Sequence, residues 1–202
     1  MKSETFNIDC IEYMQGIEDN YFDLAIVDPP YGIGINMNLG LAKGKRKKHK
    51  NKKWDDDSPN QEYFNELFRV SKNQIIWGGN YFELPACYHF IFWDKLVPEG
   101  LSFSQGEYAW TSFDRAIRKF TLNNANGGKI HPTQKPVKLY KWLLQNYAKQ
   151  GDKILDTHLG SQSSRIAAYD MGFDFWGCEL DKDYFEQGNK RFEQFRSQGK
   201  LF

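Results

Sequence analysis

Cysteine is scarce in this chain, with three among 202 residues at Cys10, Cys87 and Cys178. They lie too far apart for a metal-ligand spacing or a disulfide framework. No metal centre is expected, and a reducing, cytoplasmic setting is the plain inference. Long apolar runs are also missing. None approaches the ~18 residues of a membrane helix, and no secretory leader opens the sequence, so neither membrane insertion nor export is expected. Charge of one sign is not in excess either, since 27 Lys and Arg against 26 Asp and Glu leave +1 at pH 7. That balance excludes a globally basic nucleic-acid binder and leaves room for a neutral body bearing a basic segment. No internal repeat is present. What remains is one domain over 1–202, long enough for a sizeable core.

Aromatics, by contrast, are abundant at 16%. The most informative stretch is the apolar run Leu24-Ala25-Ile26-Val27 leading into Asp28-Pro29-Pro30-Tyr31. A buried strand that meets two prolines must stop, because neither proline can donate to a ladder and both fix φ. The sheet edge so formed carries one carboxylate, free carbonyls and one flat ring. Such a set suits a planar amine, with two acceptors for its N–H groups and a ring for its face. Taken alone, Asp-Pro-Pro is also a plain strand terminator, so the rest of the chain decides.

Thr5 to Cys10 reads as a strand, Ile11 to Gly16 as a short helix, and Gln61 to Ser71 as a helix with apolar residues at helical spacing. Further strands are expected at 74–77, 88–93 and 107–111, the last as a half-buried edge. Residues 33–55 are expected to form a mobile loop: after a Gly-rich start, Lys43, Lys45, Arg46, Lys47 and Lys48 belong to a basic run with almost no apolar residue, able to attract phosphates. Between 95 and 130 the pattern is irregular, and aromatics alternate with Arg115 and Arg118 as base-stacking and phosphate-touching residues would. The plainer reading of that stretch is core aromatics with solvated neighbours.

Pro136 opens a helix to about Lys149. After it come a strand at 153–156, a tight small-residue turn over 157–161, a helix from Ser163 to Met171, a strand from Phe173 to Glu179 and a helix from Asp181 to Phe195. A strand, a close turn, a helix N-terminus and an acid some twenty residues on form a nucleoside-binding arrangement. Strands alternating with helices make the expected fold an open α/β sheet with its ligands at the carboxyl ends of the strands.

Taken together, Asp28-Pro29-Pro30-Tyr31, the run His131-Pro132-Thr133-Gln134-Lys135-Pro136, the turn from Asp156 to Ser161 and Gly177-Cys178-Glu179-Leu180-Asp181 resemble the S-adenosylmethionine-dependent amino-methyltransferases of DNA. Their order is that of the β class. The resemblance implies a single Rossmann-like domain with a circularly permuted, mostly parallel seven-stranded sheet and helices on both faces. It makes Asp28, Pro29, Pro30 and Tyr31 catalytic, with Asp28 also beside the cofactor.

It gives Asp156, Gly160 and Ser161 to the methionine end of S-adenosylmethionine, and sets Thr133 and Lys135 near the cofactor carboxylate. Glu179 falls on the ribose and Asp9 and Cys10 beside the adenine, while His158 either packs on the cofactor or is structural. A leading Asp implies adenine-N6 in double-stranded DNA, with the base flipped out of the helix, and region 95–130 as a short target-recognition segment. The resemblance also allows a homodimer. Cytosine-N4 or RNA adenine methylation, or a non-catalytic nucleic-acid-binding protein on the same fold, are the alternatives.

Gln162 departs from the family's turn, which commonly has glycine there. A left-handed backbone at this position would weaken cofactor binding. A helix already begun there, capped by Ser161 or Ser163, would make the change harmless.

Overall fold

The computed structural model describes residues 1–33, 58–100, 104–123, 129–131 and 133–198. The predicted basic loop with Lys43, Lys45, Arg46, Lys47 and Lys48 lies outside them. In chain order the elements are β1 (Ser3–Phe6), α1 (Cys10–Gln15), β2 (Leu24–Val27), α2 (Gln61–Val70), β3 (Gln74–Trp77), β4 (Phe90–Asp94), β5 (Gly106–Thr111), β6 (Arg118–Thr121), α3 (Val137–Tyr147), β7 (Lys153–Asp156), α4 (Ser163–Met171), β8 (Asp174–Cys178) and α5 (Lys182–Ser197). A single 3-10 turn, Gly79–Tyr81, follows β3.

The strands form one eight-stranded sheet in the order β1-β8-β7-β2-β3-β5-β4-β6. Every described pairing is parallel except the two made by β5. All four residues of β2 and all four of β3 are buried, as expected for strands covered on both faces. Alternation divides them between two layers. Leu24, Ile26, Ile75 and Trp77 pack with Leu139, Leu143 and Leu144 of α3 and Ala167 and Ala168 of α4. Ala25, Val27 and Ile76 pack with Met14 of α1 and Tyr63, Phe64, Leu67 and Val70 of α2. Each Val, Leu, Ile, Phe or Met side chain among them, fully buried, is worth ~1.5–3 kcal/mol.

Three expectations are corrected. The first strand ends at Phe6, and Asp9 is no strand end but the N-cap of α1, its Oδ1 accepting from the N–H groups of Ile11 at 2.8 Å and Glu12 at 3.2 Å. β5 is not an edge, since it lies between β3 and β4. The edge is instead an eighth strand, β6, inside the region read as irregular. Its Arg118, Lys119 and Thr121 are exposed. A charged outer strand carries no apolar run for sequence periodicity to find, and the same charges discourage pairing with another sheet.

Candidate active site

Because β1, β8, β7 and β2 are parallel, their carboxyl ends share one edge of the sheet. There they bring Asp9, Asp28, Asp156 and Glu179 together around a cavity of about 670 Å³, within the ~300–1,000 Å³ range of small-molecule sites. Of the residues singled out in the sequence, Asp9, Cys10, Asp28, Pro29, Pro30, Tyr31, Thr133, Lys135, His158, Gly160, Ser161 and Glu179 line it. Asp156 lies beneath the lining, almost fully buried.

Arg115 and Arg118 are elsewhere. Arg115 lies over the rings of Phe113 and Tyr147 and donates to the Asn146 carbonyl at 2.9 Å. Arg118 is exposed on β6. Glu107, His131, Tyr140 and Tyr184 also line the cavity and were not singled out. His131 had a signal, being in the same run as Thr133 and Lys135. Glu107 had none.

At the Asp-Pro-Pro corner both oxygens of Asp28 are engaged. The Tyr31 hydroxyl donates to Oδ1 at 2.8 Å, and Lys135 Nζ stands 2.5 Å from Oδ2. Lys135 is also 3.0 Å from Glu107 Oε2, and Lys95 pairs with the other Glu107 oxygen. Burial pushes the Asp28 carboxyl up, and Lys135 only partly offsets it. Burial acts on Glu107 too, but two lysines hold its carboxyl below the usual range. The Tyr31 ring is stacked on Tyr81, centroids 4.9 Å apart at 15°. Gly78, at φ 69°, leaves room for it: a side-chain carbon there would fall 2.2 Å from Tyr31 Cε1.

The second half of the site is the turn between β7 and α4. Asp156 Oδ1 accepts from the His158 N–H at 3.0 Å and Oδ2 from the Ser164 hydroxyl at 2.5 Å. Burial nevertheless raises its carboxyl to about 7. The same burial lowers His158 to about 4, so its ring is neutral. That ring is edge-on to Tyr63, whose hydroxyl is 2.7 Å from Thr157 Oγ1. Glu179 Oε2 accepts from the Gly160 N–H at 2.8 Å, and Oε1 from the Asp181 N–H at 2.9 Å. The acid at the end of β8 therefore braces the turn while facing the cavity.

Gln162 precedes α4 in a left-handed conformation, φ 57°, ψ 31°, with no side-chain cap. Neither Ser161 nor Ser163 occupies the cap position. The site does demand positive φ, and a non-glycine residue there costs ~1–2 kcal/mol. Tertiary bonds hold it: Nε2 donates to Asn189 Oδ1 at 3.0 Å, and Oε1 accepts from Arg165 Nη1 at 2.9 Å. From α5, Arg191 also donates to the Ser161 carbonyl.

An open α/β sheet with its cavity at the carboxyl ends of parallel strands is a Rossmann-like architecture. A DNA methylase family profile matches residues 74–190, more than half of the chain, and the chain belongs to that family. It is 29% identical over 141 residues to the Type II methyltransferase M2.DpnII of Streptococcus pneumoniae, covering 69% of this chain and 49% of that one. To M2.MboI of Moraxella bovis it is 24% identical over 141 residues, 70% of this chain and 48% of that one. The chain thus spans about half the length of these relatives.

The fold is similar to that of M1.HpyAVI in its SAM complex, with TM-score 0.63 and 18% identity over 93% of this chain and 98% of that one. It is also similar to the cytosine-N4-specific PvuII DNA methyltransferase, with TM-score 0.62 and 12% identity over 98% and 91%.

Proposed function

We propose that this chain transfers a methyl group from S-adenosylmethionine to the N6 amine of an adenine flipped out of double-stranded DNA, in the cytoplasm of its cell. The observation that carries the reading is the meeting, in one cavity, of the Asp28-Pro29-Pro30-Tyr31 corner with the turn of Gly160 and Ser161 and with Glu179. The donor set fits the cofactor's chemistry. Glu179 offers a carboxylate to ribose hydroxyls, and Asp156 lies under the turn where the methionine ammonium would rest. Cys10 and Asp9 flank the side where its adenine would lie. The volume leaves room for a second ring.

The cofactor supplies an electrophilic methyl on a sulfonium. The protein's own part is to make a poor nucleophile attack, since an adenine amine delocalises its lone pair into the ring. Asp28 and the Pro29 carbonyl, both accepting from that amine, favour a pyramidal nitrogen and free the pair. Tyr31 stacks on the base, returning ~1–3 kcal/mol of the few kcal/mol that extrusion costs. Holding amine and methyl in line removes up to roughly 7–11 kcal/mol of barrier, so the reading asks for no covalent intermediate. Basic residues of the chain would meet phosphates, and a homodimer would widen that surface.

The test is mass spectrometry of nucleosides from unmethylated DNA incubated with the protein and deuterated-methyl S-adenosylmethionine. Labelled N6-methyladenine is expected. Label on cytosine overturns the base assignment, and absence of label on DNA beside a working control enzyme overturns the activity.

A further inference from the structure

Among the described residues, Glu107 is the one acid lining the site that comes from the antiparallel strand β5. It is the second residue of β5, so it reaches the cavity from a strand's amino end, while Asp28 follows the carboxyl end of β2. Between the two carboxylates lies one ammonium, Lys135, only 3% exposed, 2.5 Å from Asp28 Oδ2 and 3.0 Å from Glu107 Oε2. Lys95 pairs with Glu107 from the other side. Four charges of alternating sign therefore run from Lys95 through Glu107 and Lys135 to Asp28.

In this arrangement the Asp28 oxygens are taken by Tyr31 and Lys135. Each of those oxygens keeps a second lone pair, but an ammonium 2.5 Å from Oδ2 competes with an amine for the negative charge. The amine's bond to Asp28 therefore strengthens as Lys135 draws away, and an ammonium buried this deeply cannot be left without a carboxylate.

We propose that Glu107 is a positioning residue that offers Lys135 a second seat, so that Asp28 is released to the target amine without stranding a buried charge. The inference rests on the reading of Asp28 as the amine's acceptor. It assigns to Glu107 no contact with the base; its effect passes through Lys135. The move is short, because Lys135 already lies within ion-pair distance of both acids, and Lys95 keeps Glu107 charged and ready.

The groups facing Asp28 fix the sign of the consequence. They are Tyr31 from its own corner, Lys135 from the segment before α3, Glu107 from β5, Tyr140 from α3 and Asp156 from β7. Lys135 and the Tyr31 hydroxyl favour the Asp28 carboxylate, and Glu107 opposes it. With Glu107 neutralised, Asp28 has Lys135 to itself and stays ionised to lower pH.

The experiment compares wild type with Glu107→Gln, which keeps the shape and leaves Lys135 paired to Asp28. Single-turnover methylation across pH should slow by about tenfold or more at the plateau. The acid limb should move down by about one pH unit, and S-adenosylmethionine affinity should stay unchanged. Glu107→Asp should recover part of the rate. A plateau rate and acid limb equal to wild type would overturn the proposal.

A second measurement needs no turnover: the side-chain carboxyl of Asp28, followed by NMR through a pH titration, should titrate lower in Glu107→Gln. An unmoved midpoint overturns the coupling. If wild-type protein transfers no label at all, the methyltransferase reading fails separately, and this titration alone decides on the charge chain.

Discussion

The side chain of Gln162 lies across Gly188 of α5 so closely that a carbon at Gly188 would stand 2.7 Å from Gln162 Cγ, with Cδ and Nε2 of Gln162 its next nearest atoms. A strained left-handed residue at the turn and a bare helical position facing it thus answer each other. Gly188→Ala should destabilise the protein, because overpacking costs ~1–3 kcal/mol against the ~1 kcal/mol that alanine gains in a helix. In a Gln162→Gly background the same change should turn stabilising. A double-mutant cycle by chemical denaturation measures the sign, and equal effects in both backgrounds would refute the pairing.

Replacement of Asp28 separates chemistry from binding. Asp28→Asn should lower methyl transfer by about a hundredfold or more, the scale of losing one aimed polar group at a reacting centre. Lys135 keeps Glu107 as partner, so the fold should survive. Calorimetry should find S-adenosylmethionine bound within a few-fold of wild type. A variant retaining full rate would remove Asp28 from the mechanism.

Cofactor affinity should depend on pH through Asp156. Its carboxyl, raised to about 7 by burial, is neutral below that pH in the empty site. On the proposed function, the ionised form is the one that would attract the methionine ammonium. Affinity should therefore fall as pH drops below 7, by up to about tenfold per unit, and binding near pH 7 should release protons. Titration calorimetry in two buffers of different ionisation enthalpy counts those protons. Proton uptake, or none, would contradict this assignment.

Two glycines with similar backbones make a controlled comparison. Gly78 and Gly100 both have positive φ, 69° and 83°, but only Gly78 has the Tyr31 ring against it; among the described residues, a side-chain carbon at Gly100 would meet no atom within 4 Å beyond its chain neighbours. Alanine at either place should cost ~1–2 kcal/mol of backbone strain. Only Gly78→Ala should also displace Tyr31 from Asp28 and cut methyl transfer by about tenfold or more. Melting curves beside rate measurements distinguish the two, and equal activity in both variants would detach Tyr31 from the reaction.

The parts of the site that were legible in the sequence are those written locally. Leu24 to Val27 ends in prolines, and Phe173 to Glu179 ends in an acid, so both strand ends could be read from neighbouring residues. Glu107 could not be read in that way. Its partners Lys95 and Lys135 meet it through the sheet and the segment before α3, and nothing in the local sequence marks it as more than one member of a strand.

Gln162 posed a different problem. The backbone angle it must adopt depends on where α4 begins, and the clamp that holds it comes from Asn189 in α5 and Arg165 in α4. Lys135 was located in the cavity by its motif, yet its engagement with Asp28 emerges only from tertiary structure. β6 escaped because an edge strand has no need of apolar residues.

The wedging of β2 between β7 and β3 has a consequence for how the protein is made. Ala25 has Leu155 as its register partner in β7, more than half the chain away. As the ribosome releases the chain from its amino end, β2 must wait for α2, β3, β4, β5, β6 and α3 to be made before β7 covers one of its flanks. Until then an apolar strand with a free edge is open to other nascent chains, and long-range pairing of this kind is slow to form. The Asp28 carboxylate is made before β7 and has no cavity to belong to until β7 arrives. Yield of active protein should therefore respond to growth temperature and chaperone supply more steeply than the stability of the finished molecule would suggest.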